Sequence, residues 1–185
     1  MKRYVFFLLL GGILALSLCS CKSQEKYSIN IEERVLLPQV SPENAELVIG
    51  GKTASGEAFF LSVDMIEDNL PGFSFSCIDP WMQKETLYSG VSLYQLLNSI
   101  GMDPGAERVL LHARNDYQIE VPLEQIKKYR YQLTFKEDGR YFAELPDEQN
   151  KGPLSISIDF RSYPELLADE RKLEEVWWLD RIELR

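Results

Sequence analysis

The alternation of apolar and polar positions changes period several times along the chain. An apolar run at 5–18 follows Lys2 and Arg3 and is too short to span a bilayer comfortably. Positions 22–44 are polar, carry Pro38 and Pro42 and keep no period, which predicts a tether. Short segments follow. Two strands are expected at 46–49 and 57–61, then a short helix capped by Ser62 or Asp64 and ended by Pro71-Gly72.

The stretch 73–100 organises the rest. Phe73, Phe75 and Cys77 alternate, so a strand there puts two aromatic rings and one thiol on a common face. Pro80 cannot extend a paired strand and restrains Asp79, which places Cys77 at the strand end beside a loop. Ser92 and Gln95 have capping-box spacing, and Leu93, Leu96, Leu97 and Ile100 follow at i, i+3, i+4, i+7. Gly101 can then close the helix in a left-handed conformation. The expected order is strand, loop, helix.

Beyond it, 108–113 reads as a buried strand, Asn115-Asp116 as a turn, and Tyr117, Ile119 and Val121 as one face of the returning strand. Pro122 starts a short helix to 129. Strands at 131–135 and 140–143 flank the turn Glu137-Asp138-Gly139, and Leu154, Ile156 and Ile158 alternate in another. A helical turn at 162–170 precedes a last strand whose inward face is Val176, Trp178, Ile182 and Leu184. Many short strands, a few short helices and no regular βαβ alternation predict an α+β fold.

Composition sets the boundaries. A chain that is 45% hydrophobic and 11% aromatic is globular in character, and about 140 residues at 45–185 suffice for one domain with its own core. The leader ends in Leu18-Cys19-Ser20-Cys21, which resembles a bacterial lipobox. Small Ser20 stands directly before Cys21, whereas bulky Leu18 stands before Cys19. Cys21 is therefore the expected lipid acceptor, with a signal peptide at 1–20 and a lipidated tether at 21–44. Cleavage removes Lys2 and Arg3 and takes the net charge from −9 to −11. That balance argues against nucleic acid or anionic lipid as a partner. The lipid then becomes the membrane attachment, on the periplasmic or outer face of a bacterial cell envelope.

Candidate chemistry is sparse. His112 is the only histidine, so neither a Ser/His/Asp triad nor a multi-histidine zinc site has its parts. No phosphate-cradling GxxxxGK[ST] or GxGxxG occurs. Once Cys19 leaves and Cys21 is lipidated, Cys77 is a lone thiol in an exported protein. It is either a small buried apolar residue or a functional one.

The order Gly50-Gly51, Cys77-Ile78-Asp79-Pro80-Trp81, Gly90-Val91-Ser92-Leu93, Asn115-Asp116-Tyr117, Lys151-Gly152-Pro153-Leu154 and a terminal Trp before Ile182-Glu183 resembles the oxidoreductase molybdopterin-binding domain, the sulfite-oxidase-type fold. The resemblance covers nearly the whole domain and is nearest to short exported members. It implies a mixed, mostly antiparallel fold and a molybdenum-molybdopterin cofactor ligated by Cys77. In the methionine sulfoxide reductases of this superfamily a tryptophan follows the ligand cysteine by four residues, as Trp81 follows Cys77. Trp81, Asn115, Asp116, Tyr117, Lys151 and Gly152 are then the expected cofactor-binding residues.

The departures are as specific as the matches. Catalytic members grip the pterin phosphate with Arg and Lys, but here Ser155 follows Leu154, and Glu174, Glu175 and Val176 precede Trp177. Arg161, Arg171 and Lys172 are the nearby cations. Short relatives often carry Thr at the place of Cys77. Two functions of different class follow: oxygen-atom or electron transfer at a Cys77-ligated molybdenum cofactor with an unidentified redox partner, or a non-catalytic binding or sensory module that keeps the fold without the cofactor.

Overall fold

The computed structural model describes residues 37–169 and 171–185. The leader and Cys21 lie outside them. In chain order the elements are β1 (Leu47–Gly51), β2 (Phe59–Leu61), α1 (Val63–Asn69), β3 (Gly72–Ile78), β4 (Glu85–Ser92), α2 (Leu93–Ile100), β5 (Arg108–Ala113), β6 (Gln118–Pro122), α3 (Leu123–Lys128), β7 (Gln132–Glu137), β8 (Arg140–Tyr141), β9 (Ser155–Ser157), α4 (Glu165–Ala168) and β10 (Leu179–Leu184). One sheet has the order β2-β1-β10-β5-β6, with β1 parallel to β10 and the other pairs antiparallel. The second is antiparallel, in the order β3-β4-β7-β8, and β9 pairs with β7 beyond the end of β8. The architecture is α+β.

Local signals account for several of these elements. Ser62, not Asp64, caps α1, accepting from the Met65 N–H, because an extended backbone at Ser62 brings its hydroxyl over the first turn. Ser92 caps α2 in the same way through the Gln95 N–H, and Gly101 ends it at φ 82, where a side chain would be strained. Leu93, Leu96 and Leu97 are fully buried, with Ile100 beside them. The apolar stripe of α2 is therefore continuous with the core that both sheets share.

Three expectations need correction. The segment 85–92 between the loop and α2 is an eight-residue strand, β4, and not a loop; it pairs with β3 along seven positions and with β7 on its other side. Its alternation of Thr86, Tyr88 and Gly90 toward the interior is carried by weakly apolar residues. At Gly90 any Cβ would meet the Leu133 carbonyl oxygen at 2.0 Å, so only glycine lets β4 and β7 lie this close. The strand at 140–143 stops at Tyr141, since Phe142–Glu144 winds into a 3-10 turn. Finally, contacts with the domain begin before position 45. Leu37 is buried, Val40 donates its N–H to the Phe60 carbonyl at 2.9 Å, and Phe60 donates back to Gln39 Oε1 at 3.1 Å.

Leu97→Ala should destabilise the domain by about 2–5 kcal/mol, because its side chain is fully enclosed on the buried face of α2. Urea denaturation followed by tryptophan fluorescence measures this, and a loss well below that range would show α2 to be peripheral.

Candidate functional site

The site grows from the end of β3. Pro80 halts the strand, and the chain turns back through Trp81, Met82 and Gln83, the last at φ 53. Asp79 holds that turn from inside. Its Oδ1 accepts from the backbone N–H groups of Trp81 and Met82, each at 2.7 Å, while Oδ2 accepts from the Tyr88 hydroxyl at 2.5 Å and from Lys151 Nζ at 2.6 Å. Lys151 also donates to the Tyr88 oxygen at 2.9 Å and to Glu137 Oε2 at 3.0 Å. An ammonium has three donors, and all three are used. Burial acts to raise the Asp79 pKa, but the bonds from Lys151, Tyr88 and the turn overcome it and hold the carboxylate below its ordinary value. Tyr88 is pushed well above the usual phenol range by burial and by the carboxylates around it.

Beside this turn lies a cavity of about 240 Å³. Trp81 comes from the turn, Asn115 and Tyr117 from the β5–β6 connection, and Leu173, Glu175, Trp177 and Trp178 from the segment before β10. The β5–β6 connection is fixed locally: Asp116 takes φ 66, the Tyr117 N–H donates to Asn115 Oδ1 at 3.2 Å, and the Tyr117 hydroxyl donates to the Leu173 carbonyl at 2.5 Å. Trp178 adopts φ 55, donates its N–H to the Lys151 carbonyl at 2.7 Å and accepts at its own carbonyl from the Arg114 N–H at 2.9 Å. It is a half-buried wall of the cavity, not an inward position of the last strand, because β10 begins only at Leu179. Trp177 stands at 85° to Trp178, with ring centroids 6.1 Å apart.

Glu175 is the polar group of this cavity. It is 7% exposed, and its pKa is pushed up to about 8, first by burial and then by the Asp79 carboxylate. Oε1 accepts from the Ile158 N–H at 3.3 Å.

Of the residues expected to hold a cofactor, Trp81, Asn115 and Tyr117 line the cavity. The others have different places. Cys77 is 1% exposed, its Sγ lies 3.9 Å from the Ile158 carbonyl oxygen, and burial followed by the charges of Glu175 and Asp159 pushes its pKa up to about 12. The thiol thus faces the Ile158 carbonyl just past β9, within reach of the charges of Glu175 and Asp159. Lys151 lies in the ion cluster. Gly152 packs on Phe142, where a Cβ would fall 2.6 Å from the ring, and its N–H is taken by Asn150 Oδ1 at 2.9 Å. Asp116 is exposed and outside the cavity lining.

These residues do not fit molybdopterin. A metal-binding cysteine must ionise and reach the metal, and this thiol is neutral and sealed. A pterin phosphate needs cations, yet Arg161 pairs with Glu85 at 2.5 Å, Arg171 with Glu174 at 3.1 Å, and Lys172 rests its Nζ over the Trp81 ring at 5.2 Å. Glu175 adds a buried carboxyl and no positive charge.

The chain matches no family profile and no curated protein. Among solved structures it is similar to the crystal structure of the sulfane dehydrogenase SoxCD from Paracoccus pantotrophus, with a TM-score of 0.56, at 15% sequence identity over 80% of this chain and 40% of that one. The likeness is one of fold alone. This chain thus spans less than half the length of that relative.

Glu175 gives the domain a defined pH response. The unfolded chain releases this proton near the ordinary value of 4.5 and the folded chain near 8, so the native state binds the extra proton between them and its stability falls as pH rises through that window. Glu175→Gln, which cannot ionise, should gain stability relative to the native protein as pH goes from 4.5 to 8 in urea titrations. A difference that stays constant with pH would show Glu175 to be unshifted.

Proposed function

We propose that this chain is a lipid-anchored, non-catalytic binding module of the sulfite-oxidase-like superfamily, which keeps the fold and uses the cavity beside Trp81 for a small ligand in place of molybdopterin. The observation that carries this is the Cys77 thiol, enclosed against the Ile158 carbonyl and held protonated, with the cavity lined by other residues. The likeness to a sulfane dehydrogenase supports the superfamily at the level of fold, and the order of short motifs from Cys77 to Leu154 supports it in sequence. Fold does not carry activity with it. The oxidoreductase alternative requires the same thiol as a ligand, and the surrounding carboxylates oppose its ionisation.

The module would be held on the outer face of a bacterial membrane through lipid on Cys21, the residue that fits the lipobox. Among the described residues no helix is long and apolar enough to cross a membrane. Cys21→Ala should abolish incorporation of labelled fatty acid and release the protein from membranes, whereas Cys19→Ala should not. Label persisting in the Cys21 variant would sink this assignment.

Protein made in a molybdopterin-competent host should contain no molybdenum by elemental analysis, and Cys77→Ser should fold with only a modest loss of stability. Stoichiometric molybdenum in the native protein that disappears in Cys77→Ser would overturn the binding-module reading in favour of the enzyme.

A further inference from the structure

The walls of the cavity are chemically uneven. Trp81, Tyr117, Trp177 and Trp178 supply π faces and edges, while Glu175 supplies the buried carboxyl. An aromatic ring attracts a cation over its face, and the attraction grows when water is excluded. Two of these rings already do this: Lys172 Nζ lies 5.2 Å from the Trp81 centroid, and Lys151 Nζ lies 5.3 Å from that of Trp177. The perpendicular Trp177–Trp178 pair forms a corner and not a slot, a shape for a rounded group more than for a flat one.

Hydrogen-bond capacity narrows the ligand further. Asn115 Oδ1 already accepts from Tyr117, the Tyr117 hydroxyl is committed to the Leu173 carbonyl, and Glu175 Oε1 accepts from Ile158. Beyond the remaining lone pairs of Glu175 and Asn115 the walls are mostly π surface, so a ligand bearing several N–H groups would leave some of them unpaired, which is costly. A methylated ammonium has no such demand. An anion would find only Lys172, already resting over the Trp81 ring, since the three donors of Lys151 are committed and the chain carries a net charge of −9.

We infer that this cavity binds a small quaternary ammonium compound, held between the rings of Trp81, Trp177 and Trp178 with Glu175 as its counter-charge. The inference rests on the binding-module reading and gives its ligand class. A cation arriving beside Glu175 supplies the partner that burial and Asp79 deny it.

Calorimetric titration of the purified full chain in detergent, at a pH above 8, tests this with three probes: choline, its neutral isostere 3,3-dimethylbutan-1-ol, and ethanolamine. Choline should bind at least roughly tenfold more tightly than either, the margin expected of a partly enclosed cation–π site with a counter-ion. Glu175→Gln should weaken choline by about tenfold and leave the isostere unchanged, while Trp81→Ala should weaken both. Lys172→Ala, which frees the Trp81 face, should tighten choline or leave it unaltered. Equal affinity for choline and the isostere, or no choline binding by either the native protein or Lys172→Ala, overturns the inference. Metal analysis of the same preparation separates the failures: molybdenum present refutes the module itself, whereas no metal and no choline binding refutes only the ligand class.

Discussion

The buried ammonium of Lys151 is the contact on which the other features of this domain hang. Its three donors join Asp79 at the end of β3, Tyr88 on β4 and Glu137 on β7, so one side chain ties together three neighbouring strands at one end of their sheet. Its backbone carbonyl receives Trp178, and its ammonium sits beneath the Trp177 ring. Through Asp79 it also fixes the turn that presents Trp81. Three of the four aromatic walls therefore depend on one residue. Removing one partner of such a cluster leaves charge buried without compensation, a loss of about 3–5 kcal/mol, so the arrangement is better understood as fixing geometry than as adding net stability.

This also explains why the site was less legible than the fold. The elements governed by local rules could be read directly: the capped Leu-rich α2, the β5–β6 hairpin around Asn115-Asp116, and the turn after Cys77 all follow from residues a few positions apart. β4 was hidden because its inward positions include Thr86 and Gly90, and Gly90 is there for backbone approach, which leaves no hydrophobic signature. Lys151 could be placed in a motif but not in a role, since its partners lie 72, 63 and 14 positions away. Cys77 was placed correctly at a strand end, but the carbonyl that meets its thiol belongs to Ile158, just past β9 and 81 positions on. Trp177 and Trp178 could be seen as an aromatic pair. Their role as cavity walls required the left-handed turn at Trp178, which no glycine or asparagine announces.

Asp79 and Glu175 show how position alone can give two carboxyls opposite behaviour. Asp79 has four donors, two of them backbone N–H groups and one an ammonium, and is held ionised despite its burial. Glu175 has one longer bond from Ile158, no direct cation, and the ionised Asp79 nearby, so it keeps its proton to about pH 8. Lys151 cannot serve both. Its geometry satisfies Asp79 and leaves Glu175 electrostatically unmatched at the wall of a cavity. Strongly shifted groups in clefts concentrate where ligands bind, because an unmatched charge is a cost that a ligand can remove.

That asymmetry decides what kind of ligand suits this version of the fold. A cofactor ending in phosphate would place negative charge near a carboxyl that already resists ionisation beside Asp79, and the ammonium best placed to offset it has no free donor. Sealing the thiol and committing the lysine are then two aspects of one arrangement. With Lys151 drawn inward to Asp79 and Glu137, the cation is removed from the surface that an anion would need, and the aromatic residues and Glu175 are left to face the cavity. Side-chain pairing alone thus leaves a π-rich pocket with one buried carboxyl at its wall.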